Sequence, residues 1–144
     1  MPILNYTTGI SSAKTVSEIA QKLARAGATN VSFEYIDGET SAVYFTIKHE
    51  GTLVNFRLPH DVHGVLDALK RDKSRVAPKY RTEAHASKVA WRIVKDWVEA
   101  QLAIIEAGQA KTLQVFLPYA VSKDGKTLYE HFEEQPHLLL EAHE

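Results

Sequence analysis

RTEAHASKVAWRIVKDWVEAQLAIIEAGQAK, residues 81–111, decides the fold. Projected at ~100° per residue, Lys88, Arg92, Lys95, Glu99 and Glu106 line one narrow polar face, with Asp96 at its edge. Val89, Ala90, Trp91, Ile93, Val94, Trp97, Val98, Leu102, Ile104 and Ile105 occupy the rest of the circumference. An apolar arc wider than half the circle exceeds what a surface helix needs. The stretch therefore predicts a central helix packed on two sides. Thr82 is its expected N-cap, and Gly108 falls where a C-terminal cap belongs. Trp97 lies mid-arc and is expected in the core. Trp91 lies near the arc's edge beside Lys88 and Lys95, either packed in the core as a boundary residue or as a platform for a stacked ring.

Upstream, Ile3 to Ile10 reads as a short first strand. Thr15-Val16-Ser17-Glu18 has capping-box spacing, and Val16, Ile19, Ala20 and Leu23 continue at helical spacing to a stop at Gly27. Three strands follow. Val31, Phe33 and Tyr35 alternate with polar residues, as do Val43, Phe45 and Ile47, then Val54, Phe56 and Leu58. Asp37-Gly38 is a type I′ hairpin signal, and His49-Glu50-Gly51-Thr52 is a second turn. One face of this antiparallel meander is apolar and should rest on helices. Pro59 ends the sheet, and a second helix begins near Asp61. Leu113 to Leu117 is an apolar run stopped by Pro118, Lys123-Asp124-Gly125-Lys126 is a turn, and Thr127 to Glu130 repeats the capping-box spacing before a short last helix. The fold class is α+β: a three-stranded meander, with an N-terminal strand possible beside it, packed on a long central helix and two or three shorter ones. Residues 1–135 form one domain, and 136–144 read as a loosely ordered tail.

The composition sets outer bounds. The chain has 144 residues, 44% hydrophobic and 24% charged, with a net charge of −1 and no cysteine. Disulfides, thiolate chemistry and cysteine zinc sites are excluded. No global field draws the chain to nucleic acid or membrane, so such binding must come from a local patch. No apolar run approaches the ~18 residues of a membrane span. The start, MPILNYTTGISSAK, lacks the pattern of a signal peptide. The expected location is the cytoplasm, with no membrane partner.

The connector between the second and central helices holds Lys70, Arg71, Lys73, Arg75, Lys79 and Arg81 against one acid, Asp72. Six cations in one connector can neutralise phosphates, and Tyr80 among them can stack on a base. The plain alternative is a solvated basic loop. Lys88, Arg92 and Lys95 extend the positive surface along the central helix, or make ordinary ion pairs with Asp96 and Glu99. The candidate ligand-binding set is Lys79, Tyr80, Arg81, Lys88, Trp91, Arg92 and Lys95. His60 and His63 have a spacing that can hold a metal, but no third ligand is specified. Helix-start chemistry with Asp61 as cap explains them as well, so no metal and no cofactor is assigned. There is no phosphate loop, no G-x-S-x-G and no cysteine nucleophile, so no catalytic residue is assigned and the protein is read as non-enzymatic.

The segments Lys79-Tyr80-Arg81, Val89 to Trp97 and Phe116-Leu117-Pro118-Tyr119, with the opening Met1 to Thr8, resemble a small protein family of tailed bacteriophages and prophages. That likeness spans most of the chain. The family carries no assigned activity; proteins of this type handle DNA or RNA or counter host defence, in the host cytoplasm. The order helix, three antiparallel strands, long later helix is also similar to a double-stranded-RNA-binding domain. Here a second helix intervenes, and no Lys-Lys-x-Ala-Lys cluster opens the last helix to grip phosphates.

Two functions are expected from these readings. The first is an accessory protein that binds nucleic acid or a nucleotide-type ligand through a local basic, aromatic-containing surface. The alternative is a protein-interaction module, such as an inhibitor of a host defence protein. The wide apolar arc also predicts a homo-oligomer, a symmetric dimer above all.

Overall fold

Thr82 accepts a hydrogen bond from the His85 N–H at 3.2 Å and opens helix α3, Glu83–Glu106. At the other end Gly108 sits at a φ of 75°, where a side chain would be strained, and the Gln109 N–H closes back on the Ile104 carbonyl. The computed structural model describes residues 1–138. Around α3 it places helices α1 (Ser12–Arg25), α2 (Val62–Arg71), α4 (Thr112–Phe116) and α5 (Leu128–Glu134), and strands β1 (Asn30–Ile36), β2 (Glu39–His49) and β3 (Thr52–Arg57). The fold is α+β, with one antiparallel sheet in the order β1-β2-β3. None of the described helices is long and apolar enough to cross a membrane.

Turn chemistry fixes the sheet. Asp37 and Gly38 both have positive φ, 50° and 80°, as a type I′ hairpin requires, and Glu50 and Gly51 repeat the pattern at 49° and 81°. The resulting register sets Phe33 opposite Val43, Val31 opposite Phe45, and Phe45 opposite Phe56. A bulge interrupts the β1–β2 ladder between Glu34 and Tyr35. Val43, Phe45 and Phe56 meet Val16, Ile19 and Leu23 of α1, Trp91, Val94 and Val98 of α3, and Phe116 of α4 in the main core. The Phe45, Phe56 and Phe116 rings pack on one another, with centroids 4.9 to 6.1 Å apart. A smaller core of Leu69, Val76 and Ala86 lies under the connector.

Three expectations change. Residues 3–10 form no strand. They make turns, with the Tyr6 N–H bonded to the Ile3 carbonyl and Asn5 in the left-handed region. Ile3 and Tyr6 pack on the smaller core, and the Asn5 amide donates to Asp96 at 2.8 Å, so the segment is held by side chains and not by a ladder. Helix α1 starts one turn before Thr15: Ser11 is the N-cap, accepting from the Lys14 N–H, and Thr15 is buried inside the helix. Trp97 is less deeply placed than expected, and Trp91 is the more buried of the two. Trp91 is fully buried, while Trp97 is only partly covered, edge-on to Phe116 and Tyr119. Within one chain Val89, Ala90, Trp91, Val94 and Val98 of the arc are buried, whereas Ile93, Trp97, Leu102, Ile104 and Ile105 remain half-buried. Pro136–Leu138 make a 3₁₀ turn; the remainder of the expected tail lies outside the described residues.

Candidate functional site

The connector is an ordered ridge. The Asp72 carbonyl accepts from the Arg75 and Val76 N–H groups, and Pro78–Tyr80 form a 3₁₀ turn with the Tyr80 N–H on the Ala77 carbonyl. Val76 is buried between Leu69 and Ala86, and Tyr80 packs beside it. These anchors hold the backbone while the charges stay outside. Lys70, Arg71, Lys73, Arg75 and Lys79 are exposed and Arg81 is half-buried. Among the described residues none of the six makes an ion pair with a carboxylate. Lys70 and Arg71 also sit in the last turn of α2, where they complement the helix dipole. Tyr80 has little free face: the Lys79 ammonium lies 4.9 Å above its ring, with Tyr6 edge-on and His85 tilted against it.

The helical part of the candidate set is spent on folding. Arg92, its side chain 13% exposed, donates to Glu18 of α1 at 2.8 Å. Lys95, 14% exposed, pairs with Glu99 at 2.8 Å, and Lys22 of α1 reaches the same carboxylate at 2.8 Å. Those two ammonium groups, Lys22 first, hold the Glu99 carboxyl below its ordinary range. This ladder fastens α1 to α3. Lys88 stands apart from it, half-buried beside α1. The structure therefore brings Lys79, Tyr80 and Arg81 together with the connector, and leaves Trp91, Arg92 and Lys95 outside that surface. Glu18→Ala strips a mostly buried guanidinium of its carboxylate, and is expected to cost about 1–3 kcal/mol in a denaturant unfolding curve. An unchanged midpoint would show that water satisfies Arg92 instead.

Trp91 is held on both sides. Its Nε1–H donates to the Thr40 carbonyl at 3.3 Å, and the His60 ring stacks on it at 3.8 Å and 12°. His63 is exposed, and Asp61 caps α2 by accepting from the Gly64 N–H at 3.1 Å. Burial lowers the His60 pKa below its usual value, against a weaker pull from the Ser41 backbone and Asp61. Among the described residues the buried Nε2 has no hydrogen-bond partner. A histidine depressed in the folded state favours unfolding when protonated. Its contribution is complete above ~pH 6.5 and is lost as pH falls below that value. Unfolding curves from pH 7.5 to 5 should show stability falling, with a shallower fall in His60→Gln; identical slopes would remove His60 as the cause.

Sequence reading missed one more cluster. Ser122 Oγ and Asp124 Oδ1 lie 2.8 and 3.1 Å from His131 Nε2, and the Ser122 hydroxyl donates to Asp124 at 2.6 Å. The Ser122 hydroxyl, then the Lys126 N–H, pull the Asp124 pKa down to about 2. A serine–histidine–aspartate relay needs serine and carboxylate on opposite ring nitrogens. Here both face the same nitrogen, on an open turn, so the group ties the turn to α5. Ser122-x-Asp124 ahead of Lys126 is its only sequence signal.

No protein-family model matches the chain, and no curated protein or solved structure is significantly similar to it.

Proposed function

We propose that the protein is a non-enzymatic binder of nucleic acid that grips the phosphate backbone with the connector, residues 70–81. The observation that supports this is the division of the cations. On α3, Arg92 is paired with Glu18 of α1 and Lys95 with Glu99, whereas among the described residues the six on the connector have no carboxylate partner, on a loop pinned by Val76 and Tyr80. Leaving like charges close together costs free energy, and an anchored ridge of them is matched by a polyanion. With Trp91 buried and Tyr80 covered by Lys79, base stacking contributes little. Backbone contact dominates, and sequence preference is weak. The phage setting and the host cytoplasm belong to this reading through the family resemblance. The test is fluorescence anisotropy with labelled single- and double-stranded DNA and RNA across a salt series, beside calorimetry with mononucleotides. Steep salt dependence on polymers with negligible mononucleotide binding is expected. Absence of binding to every polymer at low salt would refute the reading.

A further inference from the structure

The two edges of the sheet are treated differently. Beyond β3, the chain returns as residues 120–121: Ala120 bridges Phe56, and the Val121 N–H donates to the Asn55 carbonyl at 2.7 Å. That edge is closed at Asn55 and Phe56. Among the described residues β1 pairs with β2 alone, so its outer edge keeps a row of unpaired backbone groups. Such an edge is a template for another strand.

A groove of about 590 Å³ runs beside this edge. Its floor on α1 is made of small residues, Ala13, Ser17 and Ala20, and its wall on β1 of Phe33 and Tyr35. Lys88 of α3 stands at the hairpin end, near the start of α1, and makes no ion pair among the described residues. Glu39 lines the same end. Tyr35 and Ile36 are 63% and 65% exposed there. The small residues leave room for the inward side chains of an added strand, and Lys88 supplies one fixed charge.

We propose that this groove receives an extended peptide segment of a partner protein, which pairs with β1 as a fourth strand and sets an acidic residue against Lys88. Backbone pairing supplies the affinity, and the α1 floor with Lys88 supplies the selectivity. The bulge's extra residue, Ser41, lies on β2, so β1 itself offers a continuous outer edge of only seven residues, 30–36. A short ladder of this kind makes a weak, reversible contact, with Kd on the order of 10⁻⁵ to 10⁻³ M. The groove shares no residue with the connector, so this inference and the nucleic-acid reading stand or fall separately.

The probe is a short synthetic peptide of alternating threonine and valine with aspartate at both ends, so that either strand direction brings a carboxylate to Lys88. Nitrogen–proton NMR spectra of the full chain should show shifts centred on residues 30–36 and slowed amide exchange along β1. The same peptide N-methylated at every central residue should lose binding. Lys88→Glu should reverse the preference between aspartate-ended and lysine-ended probes. Shifts that map elsewhere, or none at about 1 mM probe, would overturn the proposal. Equal binding of the N-methylated peptide, or an unchanged preference in Lys88→Glu, would overturn it too.

Discussion

Trp91→Ala is expected to cost about 3–5 kcal/mol, the range for deleting a large aromatic side chain from a filled core. Trp91 is 0% exposed, hydrogen-bonded through Nε1 to Thr40 and stacked on His60. Its removal leaves a cavity between the sheet and α3, takes the indole donor from the Thr40 carbonyl and uncovers one face of the His60 ring. Trp97→Ala is expected to cost roughly half as much, because Trp97 is partly open and meets its aromatic neighbours edge-on at 5.3 and 5.7 Å. Denaturant midpoints of the two variants decide the order, and a Trp97 cost equal to or above that of Trp91 would contradict the packing described. A second readout follows from the stack. If Trp91→Ala still folds, water reaches His60, and its NMR titration should move up toward the ordinary histidine range.

The relative depths of the two tryptophans show what periodicity can and cannot supply. The ~100° step per residue identified the apolar arc of α3 correctly. It ranked positions by angle alone, and angle does not say which end of a long helix is covered. Trp91 is buried because Thr40 and His60 close over it; Trp97 is partly open, met edge-on by Phe116 and Tyr119 alone among the aromatic rings of the described residues. The meander was legible because Asp37-Gly38 and Glu50-Gly51 demand tight turns and the alternation fixes the faces. The start of α1 was not, because Ser11 and Thr15 are both competent caps one turn apart, and the pairing of Arg92 with Glu18 decides between their registers by placing Thr15 inside. The same distant contact disposed of half the candidate site. The pairing of Lys95 with Glu99 was legible from their spacing, whereas the partner of Arg92, Glu18, lies more than seventy residues earlier. The connector cations stayed legible because nothing elsewhere in the described chain claims them.

Charge reversal on the connector, Lys73→Glu with Arg75→Glu and Lys79→Glu, is expected to weaken polynucleotide binding more than ~100-fold at low salt. All three side chains are exposed and none takes part in an ion pair among the described residues, so stability should move by less than ~0.5 kcal/mol. The wild-type slope of log affinity against log salt on duplex DNA should be about −4 to −5 if most of the six cations each release a counterion. Replacing the same three residues by alanine instead should flatten that slope by about 2.7, the share of three contacts at ~0.9 each. Arg92→Gln is the informative control. It breaks the ladder to Glu18 and should lower stability, yet it should leave affinity and slope unchanged, since Arg92 lies outside the binding ridge. The opposite pattern, with Arg92→Gln abolishing binding and the connector variants binding as wild type, would move the phosphate-gripping surface from the loop to the face of α3.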